Sequence, residues 1–535
     1  MRPVQWLVML CDAEVIPCSI LGLDAGNQTR GHRFHCNEAL TIEHPSEYAK
    51  LLKEKGYVVA SFEGRREMVR SQVEAAGKAL KGQAVIGDEL LDEVTALVEW
   101  PVALAGAFDK EFLEVPAEAL ISSMKEHQKY FHVVDNQGQL LPHFIALSNI
   151  ESVDPAQVIA GNEKVIRPRL ADAAFFYRTD KNTALEQQRE KLKTVVFQAK
   201  LGSIFDKTER IAALAKSIAS KTDADEALAE RAGKLSKADL VTAMVYEFAD
   251  MQGIAGFYYA QNDGEPEEVA KALNEQYLPK FAGDALPETD TGTLIAIADR
   301  LDTLSGIFGI GQVPTGSKDP FGLRRASLAV LRLMVEKNLA LDLRELLSES
   351  AALHTGLPKG NETVELALNY MLDRFKAWYV DEGIPAEVYQ AVSAKQLTIP
   401  TDINHRMNAV AAFAELPEAQ ALAAANKRVS NILAKLDSQP SSKIDASLLQ
   451  EPAEKALAAS LKEHQNKVEP LFAASNYREA LATLAGMRES VDRFFDDVMV
   501  MTDDEALRNN RLALLLNLRE LFLEVADISC LAVTK

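Results

Sequence analysis

Between Leu294 and Met334 the chain reads LIAIADRLDTLSGIFGIGQVPTGSKDPFGLRRASLAVLRLM, a stretch that few architectures accommodate. Leu294, Ile297, Leu301, Leu304 and Phe308 recur in steps of three and four residues. That spacing keeps them on one face of an amphipathic helix. Gly306, Gly309 and Gly311 break the pattern, and Asp319 then stands before Pro320. An N-cap followed by proline at the first helical position starts a second helix there. It opens with Arg324 and Arg325 and buries Leu328, Leu331 and Val335. A helix pair joined by such a loop needs other helices to cover it, and the loop can present Lys318, Arg324 and Arg325 together.

Two chemical lookalikes lie inside this stretch. GQVPTGSK, residues 311–318, approaches a phosphate-binding loop, but Ser precedes Lys, no strand leads into it, and Pro314 stiffens the cradle. Asp299 and Asp302 in ADRLD resemble the last aspartate of HD-type metal phosphohydrolases. Such sites also need histidines, and none lies between His143 and His354. Near residue 239 an HD enzyme would carry a His-Asp pair, and this chain has Ala238-Asp239. The expectation is a helical HD-like scaffold with no metal ligands, with an HD-type phosphohydrolase as the alternative.

Composition narrows the classes. At 535 residues the chain exceeds one hydrophobic core, so two to four domains are expected. Cys11, Cys18, Cys36 and Cys530 form no CxxC pair and read as reduced, cytoplasmic thiols. His32, His35 and Cys36 could start a zinc cluster but lack a fourth partner nearby; the plainer reading is a polar loop. No apolar run is long enough to cross a membrane. The apolar opening is interrupted by Asp12 and Glu14, unlike a signal peptide, and its alternation suggests strands around a turn at Cys11–Glu14.

A net charge of −20 argues against indiscriminate binding to DNA or RNA. The charge is segregated, however. Residues 161–210 hold 11 Lys+Arg against 7 Asp+Glu, and residues 211–300 hold 8 against 16. In the first of these segments Arg167, Arg169 and Arg178 surround Phe175, Phe176 and Tyr177, a mixture of cations and rings that suits RNA. Two of those rings can equally be core. Near the C-terminus Lys427 and Arg428 stand beside an apolar face of Val429, Ile432 and Leu433. Arg508 and Arg511 flank the leucine stripe of a last helix that Thr502 and Glu505 would open as a capping box. Each cation alone is as well explained by a solvated helix face.

Local patterning predicts helices over 62–80, 88–98, 206–220 and 226–246. Strands are expected over 101–108, 111–115, 132–134 and 141–149.

ADRLDTLSGIFGIG and PTGSKDPFGLRR are similar to the beta subunit of the bacterial two-subunit-type glycyl-tRNA synthetases. HQKYF, GNEKVIRPRLADAAFF, KADLVTAMVYEFADMQG, AANKRVSNILAK and FFDDVMVM resemble the same family in the same order. Members begin with a further N-terminal region, whereas this chain starts inside the pattern at MRPVQWLVML. The resemblance implies a multidomain, mainly α protein. Residues 1–183 would form an α+β, B3/B4-like module, 184–345 the helical HD-like domain, and 346–535 a helical linker and anticodon-binding bundle. It also implies a tRNA-binding chain without catalytic residues or bound cofactor. Its partners would be tRNA(Gly) and an alpha subunit that uses ATP and magnesium, in an alpha2beta2 heterotetramer. A non-catalytic scaffold that only gathers alpha subunits remains the other alternative.

Overall fold

The computed structural model describes residues 4–315, 318–360, 362–436, 438 and 440–532. The protein is mainly helical and multidomain, and two compact units account for the chain. One gathers Met1–Gln188 and Ala238–Gly264, the other Arg189–Lys237 and Glu265–Lys535.

The first unit is built on a four-stranded antiparallel sheet. Its strand order is Gln83–Ala84, Phe131–Val134, Leu140–Ser148, Val102–Ala107. Phe131 pairs with Ile145, and Phe144 lies opposite Gly106. A Cβ on Gly106 would sit 2.4 Å from the Phe144 ring, so only glycine lets that ring lie across the strand. Helices Phe62–Ala79 and Asp88–Leu97 cover the sheet with Val69, Val73, Leu91 and Val94, packed on Phe131, Val133 and Ile145. The strand expected over 111–115 is instead a 3-10 turn, Lys110–Glu114. Phe112 and Val115, three residues apart, are both buried, a spacing that a turn satisfies and an alternating strand does not. At the front, Leu10–Cys11 pairs with Glu14–Val15 around the expected turn, but Leu7–Val8 pairs in parallel with Leu23–Gly26.

The second unit is organised around helix Asp290–Gly309. The apolar spacing predicts a one-sided helix, yet it is buried on nearly every side, Thr291, Asp302 and Ser305 included. Helices Ile204–Ala219, Glu267–Glu275, Leu323–Glu336, Leu343–Ala352 and Glu362–Asp381 pack around it. A helix in that position needs partners for its polar residues. Helix Leu323–Glu336 begins three residues after Pro320, from Gly322 in the left-handed conformation. The Asp319 carboxylate still caps it, accepting from Leu323 N at 2.8 Å and Arg324 N at 3.0 Å.

From Ala386 onward the second unit continues as a helical bundle. Helix Ala419–Leu433 packs on Arg488–Asp497, on Glu505–Leu523 and on the short turn Ile528–Leu531. Arg406 fastens the chain just after helix Glu505–Leu523: its Nη1 donates to Val525 O at 2.8 Å and its Nη2 to Tyr477 Oη at 2.8 Å. Asp402 receives both Arg406 and Tyr477. The last helix is capped by Asp504, whose carboxylate takes Ala506 N and Leu507 N, and not by the expected Thr502–Glu505 box.

Candidate nucleic-acid interface

The bundle brings Arg428 over the ring of Phe495 at 4.5 Å. Helix Ala419–Leu433 turns Val429 inward and leaves Arg428 exposed, with Lys427 half-buried beside it. Phe495 comes from the neighbouring helix Arg488–Asp497, which explains why local spacing did not pair them. A guanidinium stacked on a ring keeps its edge free for a phosphate while its face is held in place.

Arg508 and Arg511 are placed differently. Arg511 is only 7% exposed; its Nε meets Glu454 and its Nη1 donates to Met499 O at 2.8 Å. Arg508 donates to Thr502 O at 3.1 Å. The two guanidiniums therefore hold the segment between the last two long helices. Val498 and Val500 are buried while Met499 and Met501 are exposed. A stripe of arginines beside leucines looked like a surface; its inward member is legible only once Glu454, fifty-seven residues away, is known to meet it.

In the central loop Lys318 and Arg325 are exposed and Arg324 is half-buried near Tyr370. Thr315 and Lys318 form a two-residue bridge. The phosphate-loop lookalike runs through Gly316 and Ser317, which lie outside the described residues.

In the first unit the arginines of the long helix Pro155–Asp180 divide. Arg167, Phe175 and Arg178 share one face and line an open groove of about 450 Å3 with Phe112 and Asn182. Arg169, two residues on from Arg167, faces elsewhere. Phe175 is 65% exposed, so it is not the core residue it could have been, while Tyr177 is half-buried and stacks on Tyr259 at 5.7 Å. The groove is not purely basic: Arg167 meets Asp109 at 2.6 Å and Arg178 meets Glu114 at 3.5 Å. In the zinc lookalike, the rings of His32 and His35 lie 4.8 Å apart, and His35 Nε2 accepts from Glu151 N.

Both HD-like aspartates are engaged, Asp302 fully buried and Asp299 partly so. Lys207 Nζ lies 2.8 Å from Asp299 and 3.0 Å from Asp302. Lys237 adds 2.8 Å to Asp299, Arg210 adds 2.5 Å to Asp302, and His354 Nε2 stands 3.1 Å from Asp302. Burial alone would raise both carboxyls. For Asp299 the ammonium groups of Lys207 and Lys237 outweigh it, and for Asp302 Lys207, His354 and Arg210 do, holding both well below the usual carboxylate range. Burial likewise opposes the charge on Lys207, and the two carboxylates override it. Sequence reading missed these partners, although Lys207 and Arg210 share a helix face at the same i, i+3 spacing as Asp299 and Asp302. Asp239 has a separate role, accepting from Gly253 N at 2.6 Å and Gly256 N at 3.3 Å at the start of a helix.

Residues 422–528 match the DALR anticodon binding domain family. The C-terminal bundle thus puts the protein in the class of synthetase-type chains that carry such a domain. Residues 1–394 match the family described as glycyl-tRNA synthetase beta subunit, and the chain belongs to that family. It is 59% identical to the glycine–tRNA ligase beta subunit of Marinobacter nauticus over 532 residues, 99% of this chain and 77% of that protein. Those of Chromohalobacter salexigens and Hahella chejuensis are 57% and 54% identical with the same coverage. The protein is accordingly one part of an aminoacyl-tRNA ligase.

Proposed function

We propose that this chain is the tRNA-binding, non-catalytic subunit of glycine–tRNA ligase. It holds tRNA(Gly) with the anticodon arm on the C-terminal bundle and orients the acceptor end toward an alpha subunit. ATP and magnesium act at that alpha subunit, within an alpha2beta2 assembly. The observation that carries the reading is the exposed Arg428 guanidinium stacked on Phe495, beside Lys427, inside the matched anticodon-binding region. Against a metal phosphohydrolase stands the use of both HD-like carboxylates by Lys207, Lys237 and Arg210. A pure scaffold would have no need of an exposed cation held on a ring.

Two measurements test it. Glycylation is expected when the chain is mixed with alpha subunit, ATP, glycine and tRNA, and not with the chain alone; charging by the chain alone overturns the division of labour. Lys427→Ala with Arg428→Ala should weaken tRNA binding. If both touch phosphate, it should reduce the slope of log K against log salt by roughly 1 to 1.5. Unchanged affinity and slope in a variant with a normal melting curve removes this pair from the interface.

A further inference from the structure

Helices Ala419–Leu433 and Arg488–Asp497 meet with unlike chemistry. The first carries Lys427 and Arg428 and no Asp or Glu, and Lys435 follows two residues past its end. The second carries Glu489, Asp492, Asp496 and Asp497 against Arg488 and Arg493. Its cations are spent on its own acids, Arg488 on Asp492 at 3.4 Å and Arg493 on Asp497 at 3.5 Å. Lys427, Arg428 and Lys435 form no ion pair among the described residues. The two asparagines of the first helix divide as well. Asn426 is buried and donates to Leu422 O at 3.0 Å. Asn431 is exposed, and its amide makes no hydrogen bond among the described residues. It lies one turn from Arg428, and Lys435 lies one turn further, so the three share a face.

Across the seam the Phe495 ring is half-buried under Arg428. Four residues on, Met499 is 76% exposed, although its carbonyl is held by Arg511, which is itself locked on buried Glu454. An apolar side chain kept in water on a fixed backbone, four residues from a clamped ring, is a platform for stacking rather than a loose end. Phosphate and base therefore find different partners here. The acid-free helix suits the sugar-phosphate chain, and its neighbour's carboxylates repel it. Ring and thioether suit the face of a base. The Asn431 amide, donor and acceptor at once, suits a base edge.

We propose that this seam orients an unpaired RNA strand, with Asn431 as the residue that discriminates among its bases. The sugar-phosphate chain runs along Lys427, Arg428 and Lys435, and the bases turn across Phe495 toward Met499. The strand is the anticodon loop, because the seam lies inside the stretch that matches the anticodon binding domain family. The inference rests on the reading that the chain binds tRNA. It adds which way the strand faces and which residue selects the base.

The test measures binding of the full chain and its variants, across a salt series, to tRNA(Gly) and to the same tRNA with each anticodon base replaced in turn. Wild type should prefer the unaltered tRNA. Asn431→Ala should lose about fivefold or more of that preference at one base and keep the salt slope. Lys435→Ala should flatten the slope by about 0.7 and keep the preference. Phe495→Leu, which retains an apolar side chain under Arg428, should weaken every RNA by roughly fivefold or more, with a melting curve confirming its fold. If wild type binds no tRNA, the tRNA-binding reading itself falls, and this inference with it. Wild-type binding that ignores the anticodon bases overturns this inference alone, and so does Asn431→Ala with the preference intact. Loss of alpha-subunit association in these variants with RNA binding unchanged also overturns it, in favour of a protein interface.

Discussion

Asp302 is the residue on which the second unit concentrates its charge. Removing one partner of a buried ion pair typically costs about 3–5 kcal/mol, because the other charge stays behind without compensation. Asp302→Asn, which leaves Arg210 without a carboxylate and Lys207 with Asp299 alone, should lose stability of that order in urea unfolding. The sign with pH follows from depressed carboxyls. Folded values of Asp299 and Asp302 lie well below the unfolded ones, so their contribution is complete above about pH 4 and is lost as pH falls further. Wild-type stability should drop steeply below about pH 4, and the Asp302→Asn variant more shallowly; equal slopes would refute the coupling. At this scale the sequence was legible where chemistry is local. Asp299 and Asp302 announced themselves by spacing. Lys207, Lys237 and His354 did not, because they reach the aspartates across 52 to 95 residues of chain, and tertiary packing alone selects them.

Helices show the same division between local and distant causes. Asp319 was identifiable as a cap, but the helix start was not. After Pro320 the chain first makes a turn, with Gly322 N on Asp319 O at 3.2 Å. Gly322, at φ 65, then enters the helix. Asp319→Ala should destabilise helix Leu323–Glu336 by about 0.5–2 kcal/mol and lower the melting temperature; an unchanged melting temperature would remove Asp319 as the cap. The helix expected over 226–246 divides because its second half has an outside partner. Asp180 accepts from Ala243 N at 3.0 Å and Met244 N at 2.9 Å, and Thr242 caps the new start. No periodicity in that segment could disclose a carboxylate more than sixty residues upstream. In the C-terminal bundle the apolar stripes were readable, and Arg428 stays outside as expected, but its ring came from another helix.

For the molecule as a whole, mainly helical architecture and a C-terminal bundle were legible from patterning and family resemblance together. The return of Ala238–Gly264 to the first unit was not, since its ties are again long-range: Tyr259 Oη to Asp180 at 3.0 Å and Leu185 N to Asp263 at 2.7 Å. Two units with their own cores should unfold in more than one calorimetric step. Asp302→Asn should lower the transition of the second unit and leave the other in place; a single transition that shifts as one would contradict this. The same connectivity has a consequence during synthesis. Asp180 leaves the ribosome long before its partners exist, and the nearest of them, Ala243, is 63 residues behind. At about 5–20 residues per second, the first unit waits roughly 3–13 seconds for its own keystone, while the start of the second unit is translated in the interval.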